Sequence, residues 1–352
     1  MVNGRRMAIG VVFGIPLVAL LVAAGALFWA SLGWTDADLG RAEVFDLDRS
    51  APEATHSIKV MTWNIGFGGG SKGGPTDRHP GAEVRQNLGS IASAIKAAKS
   101  DVVLLQEVDR PSSRTGGIDQ LEFLMKQTGL THACFTATWK NNYVPFPYFP
   151  ISGHIGPVVS GQAVLSRFPI AECRRVPLPQ PSTNKWWYNR FFLHRAVLHA
   201  ILRVGNAASE GGLVDVMNVH LEAFSNDNRI QQASILVDYV KEIGAARPLV
   251  LGGDFNSIPP YSVKTKGFVD EEIDFSGDDT VERIQRIPGL REVIIDETPG
   301  LPPTVFDTYP AERPSRRLDY IFHRGFVGSI LTRVPRNATF SDHLPVVTEL
   351  LF

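Results

Sequence analysis

The sequence predicts an α/β domain behind an N-terminal transmembrane helix, and three observations carry that prediction. Residues 8–30 hold no charged side chain, strand-like and helix-like patterns alternate from residue 58 onward, and polar residues fall repeatedly just beyond apolar strands. Such alternation builds layers of helix on sheet. The chain has 352 residues, 44% hydrophobic and 20% charged, which is ample for a buried core in one large domain or two ordinary ones.

The apolar stretch comes first. As a helix rising about 1.5 Å per residue, residues 8–30 can cross a hydrocarbon core of roughly 30 Å. Arg5 and Arg6 precede it, so positive-inside reasoning keeps them in the cytoplasm. Residues 31–352 then lie on the extracytoplasmic side of a single-pass cell-membrane protein. Ala24-Gly25-Ala26 also offers a small-residue cleavage site, and cleavage there would leave the protein secreted. Residues 1–30 are read as the anchor. Residues 31–57 carry many charges without apolar periodicity and are read as a tether, leaving 58–352 as a single domain.

Within that domain, residues 57–64 alternate apolar and polar side chains, and a Gly-rich stretch follows, so a strand ends at Asn64. Residues 83–99 have helical spacing. Val102 to Leu105 read as a buried strand that delivers Gln106-Glu107 at its end. Further strands are expected at 162–166, 195–203, 213–220, 248–253, 317–322 and 345–350, with a helix at about 227–243.

Lys and Arg number 35 against 36 Asp and Glu, which argues against a broad basic surface for nucleic acid. An enzyme that meets phosphate through a metal need not be basic. Two cysteines, Cys134 and Cys173, exclude a disulfide scaffold and a multi-cysteine zinc cluster; they pair once or not at all.

Each polar residue has a plain reading. Glu107 suits a solvated strand end, Asp254 and Asn256 a turn, His220 a core histidine, and Asp342-His343 a loop cap. Their order and company point elsewhere. Trp63-Asn64, Gln106-Glu107, Asn218-Val219-His220-Leu221, Gly253-Asp254-Phe255-Asn256, Arg317-Leu318-Asp319-Tyr320 and Ser341-Asp342-His343 together resemble the endonuclease/exonuclease/phosphatase superfamily of metal-dependent phosphodiesterases. That group includes deoxyribonucleases, abasic-site endonucleases, neutral sphingomyelinases and inositol polyphosphate phosphatases. The resemblance spans nearly all of 58–352 and implies a four-layer α/β sandwich, two packed β-sheets each covered by helices.

Hydrolysis of a phosphate ester needs a hard divalent cation, an oriented nucleophile, charge stabilisation and a protonated leaving group. Glu107 supplies a ligand suited to Mg2+, with Mn2+ or another divalent cation as alternatives, and Asp342 a second. Asp254 is the candidate general base. Asn256 holds phosphate or water, and Asn64 bonds the phosphate or supports Glu107. His343 donates to a non-bridging oxygen with its tautomer fixed by Asp319. The resemblance to sphingomyelinase-like members makes His220 the proton donor to the leaving oxygen.

Departures narrow the reading. Val159-Ser160 stands where abasic-site endonucleases carry a tyrosine, and Arg316-Arg317-Leu318-Asp319 lacks the pattern of inositol phosphatases. Lipid phosphodiesterase-like or unassigned bacterial members are the nearest look-alikes. Residues 139–158, rich in aromatics and proline, form a loop beside the site, and Trp186-Trp187-Tyr188 with Phe191-Phe192 make a second aromatic cluster. Both suit a lipid interface or ordinary packing. His154 is a candidate for substrate contact, and the sequon at Asn337 is assigned no role. The expected substrate is a phosphodiester, a phospholipid or sphingolipid headgroup before nucleic acid; a nuclease and a non-catalytic binding module are the alternatives. The expected membrane contact runs through residues 8–30, and no protein partner is implied.

Overall fold

The computed structural model describes residues 2–31, 35–47, 55–71, 74, 77–205, 212–270, 272–294 and 303–352, with side chains of the first helix described from Ile15. That helix, α1, spans Val2–Ala30. From Ile15 to Trp29 its described side chains are exposed, Ile15 by 65% and Phe28 by 66%. The expected span begins at residue 8, and the side chains of 8–14 lie outside the described residues. Among the described residues, no helix is long and apolar enough to cross a membrane. The last turn of α1 is seated on the domain. Asn142 N and Tyr143 N donate to Ala30 O at 3.1 and 3.2 Å, Asn142 Nδ2 donates to Trp29 O at 2.9 Å, and Arg190 Nε donates to Ser31 Oγ at 3.0 Å. Carbonyls that end a helix without partners are satisfied here by the domain itself.

Residues 35–47, read from sequence as tether, carry structure of their own. Thr35 caps a short helix α2 (Asp36–Leu39), and β1 (Glu43–Asp46) pairs antiparallel with a strand of the main sheet. The charges that suggested a solvated linker are partly docking contacts, since Asp36 meets Arg175 at 2.6 Å and Asp46 meets His132 at 2.7 Å.

Two βαβ units position the chemistry. In the first, β2 (Ser57–Asn64) runs parallel to β3 (Val102–Asp109), joined by α3 (Gly81–Ala98). The stripe Val84, Leu88, Ile91 and Ile95 turns α3 onto the sheet, as its helical spacing requires. After α4 (Gln120–Thr128), β4 (His132–Asn141) and β5 (Val158–Ser166) extend this sheet on one side. The second sheet opens with β6 (Ile170–Leu178), the short α5 (Trp186–Asn189) and β7 (Arg195–Arg203). Its βαβ unit is β8 (Leu213–His220), α6 (Asn226–Glu242) and β9 (Leu249–Asp254), with β8 and β9 parallel. The unit is followed by α7 (Thr280–Gln285), β10 (Arg291–Glu292) and β11 (Asp319–Arg324). Finally β12 (Gly328–Arg333) and β13 (Val346–Leu351) return to the first sheet. The orders are β1-β4-β5-β3-β2-β13-β12 and β10-β11-β9-β8-β7-β6.

Alternation along each strand sorts the core into layers. On β2, Ile58 and Val60 face the second sheet, while Met61 and Trp63 face α3 and α4. On the second sheet Val216 and Val250 face inward, and Met217 and Leu251 pack under α6 and α7. The result is helix, sheet, sheet, helix, the four layers that the family resemblance implied. Cys134 of β4 and Cys173 of β6 form a disulfide that links one sheet to the other.

Candidate active site

The ends of both βαβ units meet at one edge of the sandwich. In the second sheet His220 pairs in register with Asp254, and Asp254 with Asp319, so three strand ends present their side chains together. The first sheet contributes Asn64 from β2, Glu107 from β3, and Asp342 and His343 from the turn before β13. All eight residues expected from the sequence are brought to this place. Asn64 joins the halves, its Nδ2 donating to Asp254 Oδ2 at 3.0 Å and to Glu107 Oε1 at 3.2 Å.

Local backbone explains why these residues reach the site. Glu107 was expected beyond a strand end but lies within β3, at a register shift between Leu105 and Val108 against β5. Its φ of 55° marks a bulge that re-aims the side chain. Asn256 has a φ of 49°, and its N–H donates to Asp254 Oδ1 at 2.9 Å while its Nδ2 donates to Leu221 O at 3.0 Å. Gly253 precedes Asp254 because a Cβ there would stand 1.9 Å from Val219 O. Gly66, at φ 49°, likewise makes room for Asp342, whose Oδ1 would be 3.0 Å from a Cβ.

His343 is held on three sides. Its Nδ1 bonds Asp319 Oδ2 at 2.8 Å, its Nε2 lies 3.7 Å from Asp254 Oδ2, and its carbonyl accepts from Trp63 Nε1 at 2.9 Å. Burial opposes charge on this imidazole, but Asp319, Asp254 and Asp342 outweigh it and hold His343 well above the usual histidine range. His220 is the opposite case. Burial first, then the positive charges of Arg195 and His343, push it well below that range, although its Nε2 is 3.5 Å from Asp254 Oδ2 and 4.0 Å from Glu107 Oε1. The surroundings therefore favour the imidazolium at His343 and the neutral ring at His220. Burial raises Asp254 to about 6 against the pull of His343. Asp342 is likewise raised to about 6, by burial and then, against the opposing pull of His343, by the carboxylate of Glu107.

Asp254, Asp319 and His343 place ligand atoms within 4.8 Å of one another and could hold a metal ion as a group. Within that trio His343 Nδ1 and Asp319 Oδ2 already share a hydrogen bond. Glu107 and Asp342, the two ligands expected from the sequence, come to the same edge. They are hard oxygen ligands, and their repulsion is the kind that a divalent cation relieves.

Sequence reasoning passed over the support beneath Glu107. Asn218 reaches from β8 across the sandwich, donating from Nδ2 to Leu105 O at 2.8 Å and Ala163 O at 2.9 Å, and accepting at Oδ1 from Gln106 Nε2 at 2.6 Å. It bonds backbone next to the bulge from the opposite sheet. The available signal was a polar residue on the inward phase of an apolar strand. Ser341 was also missed as a brace; its Oγ donates to Asn64 O at 2.8 Å.

Beside the site opens a cleft of about 390 Å3. Both aromatic segments line it, through Trp139, Phe146, Tyr148, Trp187, Tyr188 and Phe192, and its wall includes Glu107, Arg195 and His220. Residues 139–141 belong to β4, and the loop beyond them forms one side of the cleft. His154 turns to Tyr143, its Nδ1 bonded to the phenol, and does not line the cleft.

Comparison with known proteins agrees with this geometry. A search of curated proteins finds no match. Among solved structures, an endonuclease/exonuclease/phosphatase from Beutenbergia cavernae DSM 12333 superposes with a TM-score of 0.59 at 25% identity, covering 85% of this chain and 72% of its own. Truncated TDP2 from Caenorhabditis elegans gives 0.52 at 17%, covering 84% and 98%, and a mannosyl-6-phosphatase from Bacteroides thetaiotaomicron gives 0.55 at 16%, covering 84% and 100%. The last two likenesses are of fold alone. The model of the Endonuclease/Exonuclease/phosphatase family matches residues 61–343, from the strand that ends in Asn64 to His343 itself, and the chain belongs to that family of phosphoester hydrolases.

Proposed function

We propose that the protein is a divalent-cation-dependent phosphodiesterase, with Mg2+ as the working ion, acting outside the cytoplasm on a phospholipid or sphingolipid headgroup. The observation that carries the lipid reading is the aromatic cleft, which opens beside Glu107 and His220 and is built from the loop and turn on which α1 is seated. The exposed apolar side chains of α1 and the protruding Phe149 and Trp186, 83% and 68% exposed, support a membrane contact at that end. The disulfide supports an oxidising compartment.

Glu107 and Asp342 would hold the cation, which supplies Lewis-acid polarisation of a phosphoryl oxygen. Asp254, once ionised, accepts the proton of the attacking water. Asn64 and the Asn256 N–H keep its carboxylate in place. His343, charged and fixed by Asp319, donates to a phosphoryl oxygen. His220, whose Nε2 lies 3.5 Å from Asp254 Oδ2, hydrogen-bonds the leaving oxygen; as the P–O bond breaks, that oxygen takes up the proton that Asp254 received from the attacking water and departs as a hydroxyl.

The test is hydrolysis by the full-length protein of sphingomyelin and glycerophospholipid vesicles and of DNA, each with Mg2+ and after chelation. Headgroup release that needs Mg2+ and falls by about 100-fold or more in Glu107→Gln is the expected outcome. Cleavage of DNA with intact vesicles would overturn the lipid reading, and full activity after exhaustive chelation would overturn the cation.

A further inference from the structure

Five arginines are buried among the described residues, and four of them have a carboxylate. Arg114 meets Asp109 at 2.7 Å, Arg229 meets Asp278 at 2.9 Å, Arg316 meets Asp270 at 2.8 Å and Arg317 meets Glu292 at 2.6 Å. Arg195 is the fifth. It is 4% exposed, its Nε is buried without a hydrogen-bond partner, and among the described residues its guanidinium makes no ion pair and stacks on no ring. An arginine does not escape such a position by losing its proton. Burying a charge without a partner costs several kcal/mol, so folds seldom retain one for packing alone.

The position of Arg195 shows where its partner would come from. The residue opens β7 and lines the cleft with Glu107 and His220, near enough for its charge to be felt at the His220 imidazole. Arg114, in the same wall, is occupied by Asp109 through both Nε and Nη2 and has little left to offer. Glu107 shares the cleft, yet it is directed to Asn64 and makes no ion pair with Arg195. Among the described residues, Arg195 thus differs from the other four buried arginines in facing the cleft without a protein carboxylate.

We propose that Arg195 is an anion-recognition residue of the cleft, which receives an oxyanion of the substrate while the aromatic walls take its apolar part. This rests on the phosphoester reading above, and it adds that the substrate is held at two points, at the cation-binding carboxylates and at a fixed guanidinium. A planar fork of donors suits phosphate better than a single ammonium would. The oxyanion comes either from the scissile phosphate or from a second acidic group on the same molecule.

The experiment uses metal-stripped full-length protein and inorganic phosphate, so that binding is read without turnover and without a cation. Trp139 and Trp187 in the cleft wall give a fluorescence signal. Wild-type protein should bind phosphate saturably and melt at higher temperature in its presence. Arg195→Met should bind at least about tenfold more weakly, and Arg195→Lys should fall between. Arg195→Met should also melt no lower than wild type, since it removes a buried Nε donor that has no partner, whereas a merely structural arginine would lower Tm on removal. In turnover, a loss confined to kcat assigns the oxyanion to the scissile phosphate, and a rise confined to KM assigns it to a second acid; both support the site. Equal phosphate affinity in wild type and Arg195→Met, or no phosphate effect on wild-type fluorescence or Tm, overturns it. Should Arg195→Met not fold, the wild-type and Arg195→Lys measurements decide by the same criteria. Failure of lipid hydrolysis with phosphate binding intact would instead count against the substrate reading alone.

Discussion

Asn64 touches carboxylates from both sheets, and through it the charge on Asp254 is tied to the position of Glu107. Asp254 is the residue whose ionisation stability should report. Its folded-state value of about 6 exceeds its ordinary 3.8, so the folded protein binds the extra proton between those values. Stability attributable to this carboxyl is therefore greatest at low pH and is lost as pH rises through about 6. In metal-stripped protein, the unfolding free energy of wild type relative to Asp254→Asn should decline by about 2–3 kcal/mol between pH 4 and pH 6 and then level off. Urea melts at a series of pH values measure it, and a difference that rises with pH would refute the assignment. At this scale the sequence was informative, because carboxylates, amides and histidines in a fixed order constrain chemistry strongly. It was silent on which histidine carries charge. That depends on the burial of both rings, outweighed at His343 by Asp319 and its neighbouring carboxylates and reinforced at His220 by Arg195 and His343, an environment that only the folded chain assembles.

The elements that were legible are the ones buried on both faces. Val102 to Leu105 and Leu249 to Leu251 are apolar throughout, as strands covered by a sheet on one side and helices on the other must be. Strands such as β1, β6 and β12 sit at sheet edges with mixed burial, and their sequences give no such run. The bulge at Glu107 was not legible at all, since a bulge is defined by the partner strand. Its prop, Asn218, gives the prediction for this scale. Asn218→Leu removes donors from Leu105 O and Ala163 O and the acceptor of Gln106, and should destabilise the protein by about 2–4 kcal/mol. It should also lower kcat while leaving all eight site residues in the chain, because the bulge loses its cross-sheet support. Chemical denaturation and steady-state kinetics on the same preparation check both. Unchanged kcat in a destabilised variant would show that Glu107 holds its position without Asn218.

Across the whole molecule, each sheet carries half of the chemistry, so the site exists only while the sandwich keeps its register. Cys134 and Cys173 bind one sheet to the other across a separation of 39 residues. Reduction should cost about 2–4 kcal/mol of stability, read as a shift of the urea midpoint with and without dithiothreitol; an unchanged midpoint would deny the crosslink any role. The layered plan followed from the alternation of strand and helix. The docking of residues 35–47 did not, because four strand residues among charges carry too short a period to register, although Asp36 and Asp46 find Arg175 and His132 once folded. The seat of α1 has a mechanical consequence. Ala30 and Ser31 are bonded to the loop and turn that wall the cleft, so rotation at that end of the helix is transmitted to the mouth of the cleft with no swivel between them. A helix advances about 100° and 1.5 Å per residue. One residue inserted within α1 would turn everything before it by that angle relative to the cleft, and a second insertion would nearly reverse its facing, so the azimuth of the site is set by counting residues in α1.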